Sequence, residues 1–319
     1  MALAYQNFLE KFMNLDECVL RALYLFEQTG LPELDLGDYK RPFVVGSGNA
    51  AVTGRILLEG TDAVFADEST YEKKLEACPD VDGAVLISAS GEKHAPVIAS
   101  ELKKRGLETR LLTCNSDASA ISIVGEERSF VFPKQTEPYT YNTSTYLGMI
   151  LAKTGEDPAL IRQFINEDIK GVIPDNLADY LGFYFLLPEK FDNLREMFLT
   201  KFDELFAPMV FGRAFTFEQS KHAKTVIKPD SEHRELVVTM GYYGGEWMYN
   251  KGKVPFQHDA EILNLPPQAD SGYGSIMASG YYFIGRIQSQ KPSYFKDGIQ
   301  DFCERASSAA GKRVDPIVS

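Results

Sequence analysis

Between residues 42 and 152 short apolar runs alternate with longer amphipathic ones, and this alternation constrains the fold more than any other feature of the sequence. FVV ends in Gly46-Ser47-Gly48-Asn49 and leads into AAVTGRILLEG, a strand, a glycine turn and a helix. AVFADE predicts a second short strand and STYEKKLEACP a charged surface helix or loop. GAVLIS is unbroken apolar text of the kind found in a parallel strand covered on both faces. APVIASELKKRG follows as a helix closed by glycine after a basic last turn. TRLLTC and SFVFP are further strands, and NTSTYLGMILAKTG opens another helix with Asn142, Thr143 or Ser144 as its N-cap. Strands and helices in this alternation predict an α/β fold, a doubly wound parallel sheet with right-handed crossovers.

The rest of the chain is organised around that block. Phe8, Phe12, Leu15, Val19, Ala22 and Phe26 recur at helical spacing, which predicts a helix over 4–28 that ends at Gly30 and Pro32. Residues 155–200 are expected to be mainly helical and to contain a domain boundary. APMVFG then restarts the pattern, with a turn at Gly212 about one domain length beyond Gly46 and a helix through FTFEQSKHAKTVI. ELVVTMG and AEILNLP are strand candidates and SIMASGYYFIGRIQSQ a helix. The expected layout is a helical segment over 1–40, a first domain over 41–165 and a second, less regular one over 166–319. A chain of 319 residues is long enough for two cores.

The formal net charge is −12, a field that repels nucleic acid and anionic membrane. An anionic ligand must therefore be held by a local concentration of positive groups. No window approaches the ~20 apolar residues of a membrane helix, and the N-terminal text carries Glu10, Asp16 and Glu17 where a signal peptide would be apolar. Cys18, Cys78, Cys114 and Cys303 have no pairing or ligand spacing, which points to thiols in a reducing cytosol. The expectation is a cytoplasmic protein that works without cofactor or metal.

In an open parallel sheet, ligands bind beyond the carboxyl ends of the strands. Three segments are expected to meet there: Gly46-Ser47-Gly48-Asn49, Ser88-Ala89-Ser90-Gly91 and Thr143-Ser144-Thr145. Hydroxyls, free N–H groups and helix N-termini together make a phosphate cradle. Lys93, just beyond the second turn, either adds charge to that cradle or is a solvated lysine at a helix start.

These segments, in the contexts VVGSGNAAVTGRI, VLISASGEKHAPVIASELKKRG, LLTCNSDASAI and EPYTYNTSTYLGMI, resemble the sugar isomerase (SIS) domain family over roughly residues 42–152. FGRAFTFEQSKHAK resembles a second such domain more faintly. The resemblance implies two flavodoxin-like SIS domains in tandem and a phosphosugar ligand held by the Ser/Thr-rich loops. It also implies a homodimer whose second subunit completes the site, and an acidic residue near the sugar, at Glu137. The implied reaction is aldose–ketose isomerisation of a hexose or amino-sugar 6-phosphate. A deglycase or lyase acting on a sugar-amine phosphate, or a non-catalytic sugar-phosphate sensor, are the alternatives.

The sequence also departs from the family. Asn49 or Ala50 stands where the first loop usually carries a hydroxyl, and Glu92, Lys93 and His94 follow the second loop. A carboxylate ~4 Å from a phosphate costs roughly 1–4 kcal/mol, depending on the local dielectric. Glu92 must therefore turn away, pair with Lys93, or mark a different ligand. In the second half Glu218 and His222 are four apart and would share a helix face, with Lys221, Lys224 and Lys228 around them. A carboxylate suits proton transfer between adjacent carbons, and an imidazole suits ring opening. The family's synthases carry a further glutamate where Thr225 stands here. His233 or His258 is the candidate for a residue donated across subunits. Tyr139, Tyr141, Tyr146, Tyr242, Tyr243 and Tyr249 around Trp247 are either sugar-stacking and interface aromatics or ordinary core.

Overall fold

The computed structural model of the chain describes residues 12–222, 224, 232–240, 261–268, 270–311 and 313–318. The expectations for residues 4–11, Thr225, Lys228, Tyr242, Tyr243, Trp247, Tyr249 and His258 lie outside the described residues. Helix α1 (Leu15–Thr29) buries Leu15, Val19, Ala22 and Phe26, the stripe its spacing sets. Two compact units follow, one of Leu25–Lys134 with Ser144–Asp157, the other from the described residues of Met1–Tyr24, Gln135–Thr143 and Pro158–Ser319.

The first unit is built on a five-stranded sheet of β1 (Pro42–Val45), β2 (Val64–Ala66), β3 (Gly83–Ile87), β4 (Thr109–Thr113) and β5 (Ser129–Val131), in the order β2-β1-β3-β4-β5. Every pairing is parallel. All residues of β1 and β3 are buried, because helices cover both faces. On one face Phe43, Val45, Leu86 and Leu111 pack with Tyr71 and Leu75 of α3 (Tyr71–Ala77) and with Ile98 and Leu102 of α4 (His94–Lys104). Each fully buried leucine or phenylalanine stabilises the fold by roughly 1.5–3 kcal/mol. Helix α2 (Asn49–Leu57) packs close to the sheet at Gly54, where an added Cβ would stand 2.7 Å from Val44 Cγ1. A short α5 (Ile121–Val124) and the part of α6 (Thr143–Thr154) from Ser144 complete the unit. The order in which strands are added reverses at β1, since β2 lies on one side of it and β3 on the other. That is the switch point at which such sheets bind ligands.

The second unit carries its own parallel sheet of β7 (Gly182–Leu187), β8 (Phe211–Thr216), β9 (Glu235–Met240) and β10 (Glu261–Leu265), in the order β10-β9-β7-β8. One expectation is completed here and one corrected. Residues 155–200 contain helix α7 (Pro158–Phe164), a π turn over Ile165–Ile169 and most of α8 (Leu194–Leu205), but also β7, an interior strand of the sheet. GFYFLL is apolar on both faces, so period alone cannot separate it from a buried helix. Gly212 lies inside β8 and not in a turn after a strand, so it does not correspond to Gly46. It is small because the Phe202 ring lies within 2.3 Å of where its Cβ would be.

Phe183 and Phe185 of β7 pack on Phe202 of α8 and on Phe283 of α10 (Tyr273–Gln290), with ring centroids 5.7–6.1 Å apart. Gly285 lets α10 approach the start of α1, where Gln288 Oε1 accepts the Leu15 amide at 2.9 Å and Arg286 faces Asp16 at 3.5 Å. Helix α11 (Tyr294–Ala310) follows, and β6 (Glu137–Pro138) pairs antiparallel with β11 (Ile317–Val318).

Candidate functional site

At the carboxyl ends of β1 and β3 the first unit opens a cavity of about 310 Å³, in the range of small-molecule sites. Gly46, Ser47, Ser88, Ser90 and Lys93 line it, so two of the three expected segments meet there. Each leaves its strand and runs into a helix, α2 or α4. Gly48 and Lys93 hold nearly the same backbone geometry at those helix starts, φ 54° with ψ −125° and φ 54° with ψ −101°. Glycine adopts it freely, whereas lysine does so at a cost. Neither helix has a side-chain cap. The Ala50 and Ala95 amides already donate to Ser47 O and Glu92 O, and Pro96 has no N–H. The first-turn amides left for an anion among the described residues are those of Asn49 and Ala51 in α2 and His94 in α4.

The Ser88–Gly91 turn is fixed locally. The Gly91 amide donates to Ser88 Oγ at 3.2 Å and the Glu92 amide to Ser90 Oγ at 3.3 Å. From the end of β4, Asn115 Nδ2 donates to Ser90 O at 3.0 Å and the Cys114 amide to Ala89 O at 3.0 Å. Both serine hydroxyls thus act as acceptors within the turn, and among the described residues their own protons have no acceptor. Gly91 is required by its φ of 61° and by Ala118, whose Cβ lies 2.4 Å from the position of an added Cβ.

Glu92 lines the cavity as well, with its carboxylate held by Ser119. Its carboxylate accepts from the Ser119 amide at 2.8 Å and from Ser119 Oγ at 2.9 and 3.0 Å.

The third segment differs from its expectation. Thr143, Ser144 and Thr145 are fully buried, and the hydroxyls of Thr143 and Thr145 have no hydrogen-bond partner among the described residues. The residue of α6 that reaches the cavity is Tyr146. Asn49 is buried at the start of α2 with an unpartnered Oδ1 and does not line the cavity. Glu137 is fully buried in β6 of the other unit, where Gln135 Nε2 donates to its carboxylate at 3.3 Å. Sequence reasoning missed Glu68, which lines the cavity from the turn after β2. Its signal is positional, an acid at the next strand end about 20 residues beyond the glycine turn.

Glu218, His222 and His233 belong to the second unit. Thr216 and Gln219 form a reciprocal capping box, with the Gln219 amide donating to Thr216 Oγ1 at 3.2 Å and the Thr216 amide to Gln219 Oε1 at 3.2 Å. The helix so started, α9 (Phe217–Ser220), ends after four residues. Lys221 and His222 follow in a turn, so Glu218 and His222 do not share a helical face as their spacing implied. The Glu218 amide donates to Glu189 Oε1 at 2.8 Å, and Lys221 pairs with the Glu218 carboxylate. The hydrogen bond and charge of Lys221, with His222 adding charge, hold the Glu218 carboxyl below the ordinary glutamate range. His222 and His233 are exposed. Among the described residues no group of side chains has the makings of a metal site, and no helix is long and apolar enough to cross a membrane.

The molecule is therefore an α/β protein with parallel sheets and an anion-competent cavity at a switch point. No family model matches its sequence, and no curated protein does. Solved structures share its fold. Glucosamine-6-phosphate deaminase from Thermotoga maritima aligns with a TM-score of 0.59 at 15% identity, over 89% of this chain and 94% of that one. The C-terminal domain of glucosamine-fructose-6-phosphate aminotransferase from Francisella tularensis gives 0.53 at 14%, over 88% and 94%. Tagatose-6-phosphate ketose/aldose isomerase from Escherichia coli gives 0.52 at 13%, over 87% and 89%. The resemblance to SIS proteins carried by the first-unit loops is thus matched at the level of fold.

Proposed function

We propose that this chain is a phosphosugar isomerase of SIS type, interconverting aldose and ketose forms of a hexose or amino-sugar 6-phosphate. The observation that carries the reading is the cavity of the first unit. Ser47, Ser88 and Ser90 line it, two uncapped helix starts border it, and Lys93 stands at its edge. The names of the structures that share the fold support a sugar phosphate as the ligand. In this reading the two parallel-sheet units are SIS domains in tandem, the second divergent, behind a helical N-terminal segment. The protein acts in the cytoplasm as a homodimer whose second subunit completes the site.

Isomerisation needs a proton delivered to the ring oxygen and a second proton moved between adjacent carbons. His222 is assigned the first task and Glu218 the second, with His233 as the residue donated across subunits. Glu218 is ionised at neutral pH, as a base must be. The test is turnover of a panel of hexose and amino-sugar 6-phosphates by wild type and Glu218→Gln. At least one substrate is expected to turn over, with kcat about 10²-fold lower or more in the variant. No turnover of any sugar, or full activity in Glu218→Gln, overturns the assignment.

One observation favours a second reading, a non-catalytic phosphosugar sensor. The Glu218 side chain is 62% exposed and engaged by Lys221, an arrangement equally suited to a surface ion pair. Phosphosugar binding without turnover of any panel member selects that reading.

A further inference from the structure

The cavity holds one carboxylate that the phosphate reading leaves unused. Besides Tyr146, four ionisable side chains line it: Glu68, Glu92, Lys93 and His94. Glu92 is committed to Ser119. Glu68 is exposed and has no hydrogen bond or ion pair with any described residue, Lys93 included. Its place is nevertheless fixed, because the turn that carries it is tied at both ends. Asp67 Oδ1 accepts from the Ser69 amide at 2.9 Å, from Ser69 Oγ at 2.8 Å and from Thr70 Oγ1 at 2.8 Å, and the Asp67 amide donates to Thr70 Oγ1 at 3.1 Å.

Topology sets the spacing. Glu68 follows β2, and Ser88 and Ser90 follow β3, on the opposite side of β1. Two strand spacings separate those ends, about 10 Å, comparable with the length of a hexose phosphate. A ligand whose phosphate sits on the serine turn and helix starts thus presents its far end to Glu68. Toward a neutral phosphosugar this carboxylate accepts a hydrogen bond from a hydroxyl, meets no opposite charge and repels the phosphate. Toward a protonated nitrogen it offers a charge-assisted bond that offsets the repulsion.

Resting on the phosphosugar reading above, we infer that Glu68 is a specificity-determining residue that recognises a protonated nitrogen, so that the cavity prefers an amine-bearing phosphosugar to its neutral counterpart. Equilibrium binding of glucosamine 6-phosphate and glucose 6-phosphate to the full chain tests this. Wild type is expected to hold the amine about tenfold more tightly. Glu68→Gln should remove the difference by weakening the amine relative to the neutral sugar, and Glu68→Lys should reverse it. Equal binding of both sugars by wild type, or an equal loss of both in Glu68→Gln, overturns the inference and leaves the phosphosugar reading standing. Binding of neither sugar overturns both.

Discussion

At the scale of single residues, Lys93 holds the clearest conflict between local preference and place. A side chain at φ 54° and ψ −101° clashes with its own backbone, and such residues cost roughly 1–3 kcal/mol. Gly48 takes the equivalent place at the other helix start without that cost. The strain makes sense if the ammonium is used by the ligand, which gives a prediction of two opposite effects. Lys93→Gly should raise the stability of the free protein by about 1 kcal/mol, the relieved strain exceeding the added freedom of the unfolded chain. The same variant should weaken binding of glucose 6-phosphate about tenfold. Thermal unfolding with and without the sugar measures both. A variant that is more stable and binds unchanged would make Lys93 a solvated lysine.

Glu218 gives a pH prediction. A general base works only when deprotonated, so kcat/KM falls as pH drops through its pKa. Lys221 lowers that pKa, which places the acid limb below the ordinary glutamate range. Lys221→Ala removes the largest cause of the lowering, so the limb should move to higher pH. A limb that stays in place would mean that another group titrates.

At the scale of elements, the tight contact of α2 with the sheet decides the sign of a substitution. Alanine in a helix interior normally gains up to about 1 kcal/mol over glycine. At Gly54 the new methyl would meet Val44 Cγ1 at 2.7 Å and Ile87 Cδ1 at 3.4 Å, and valine has little rotamer freedom with which to yield. Gly54→Ala is therefore expected to destabilise by about 1–3 kcal/mol, as overpacked cores do. Denaturant titration checks it, and a stabilised variant would contradict the packing described.

Legibility in the sequence followed the same packing logic. The interior strands β1 and β3 could be read because both their faces are buried, which leaves uninterrupted apolar text between glycine turns. GFYFLL has the same character and escaped notice because helices flank it on both sides and no glycine turn announces it. FTFEQSKHAK failed the other way. Its capping box is a real helix start, but nothing in the spacing of Glu218 and His222 signals that the helix stops at Ser220. The two segments that line the cavity were legible from their glycines and hydroxyls. The third was read as hydroxyls facing a ligand, whereas Ser144 and Thr145 are buried and Tyr146 reaches the cavity. A run of Ser and Thr does not state which face of its helix is covered. Glu68 stayed hidden because a lone loop acid is ordinarily solvated; only the strand order makes it part of a site.

At the scale of the whole molecule, the long-range field and the local cradle act on an anionic ligand with opposite signs. If the ligand is the phosphosugar proposed above, the formal net charge of −12 repels it from a distance, while helix starts, hydroxyls and Lys93 attract it at contact. Salt separates the two by range. Between about 0.01 M and 0.1 M ionic strength the Debye length falls from about 30 Å to 10 Å. That change removes most of the long-range repulsion and little of an attraction that operates within a few ångströms. The association rate constant should therefore rise with salt over this interval, by about two- to fivefold, the reverse of the fall seen when opposite charges steer an encounter. The dissociation rate constant should change less. Stopped-flow binding at several salt concentrations measures both. An association rate that falls steeply with salt would mean that the ligand meets a positive field larger than the charges lining the cavity provide, and the phosphate would then have to be held somewhere else.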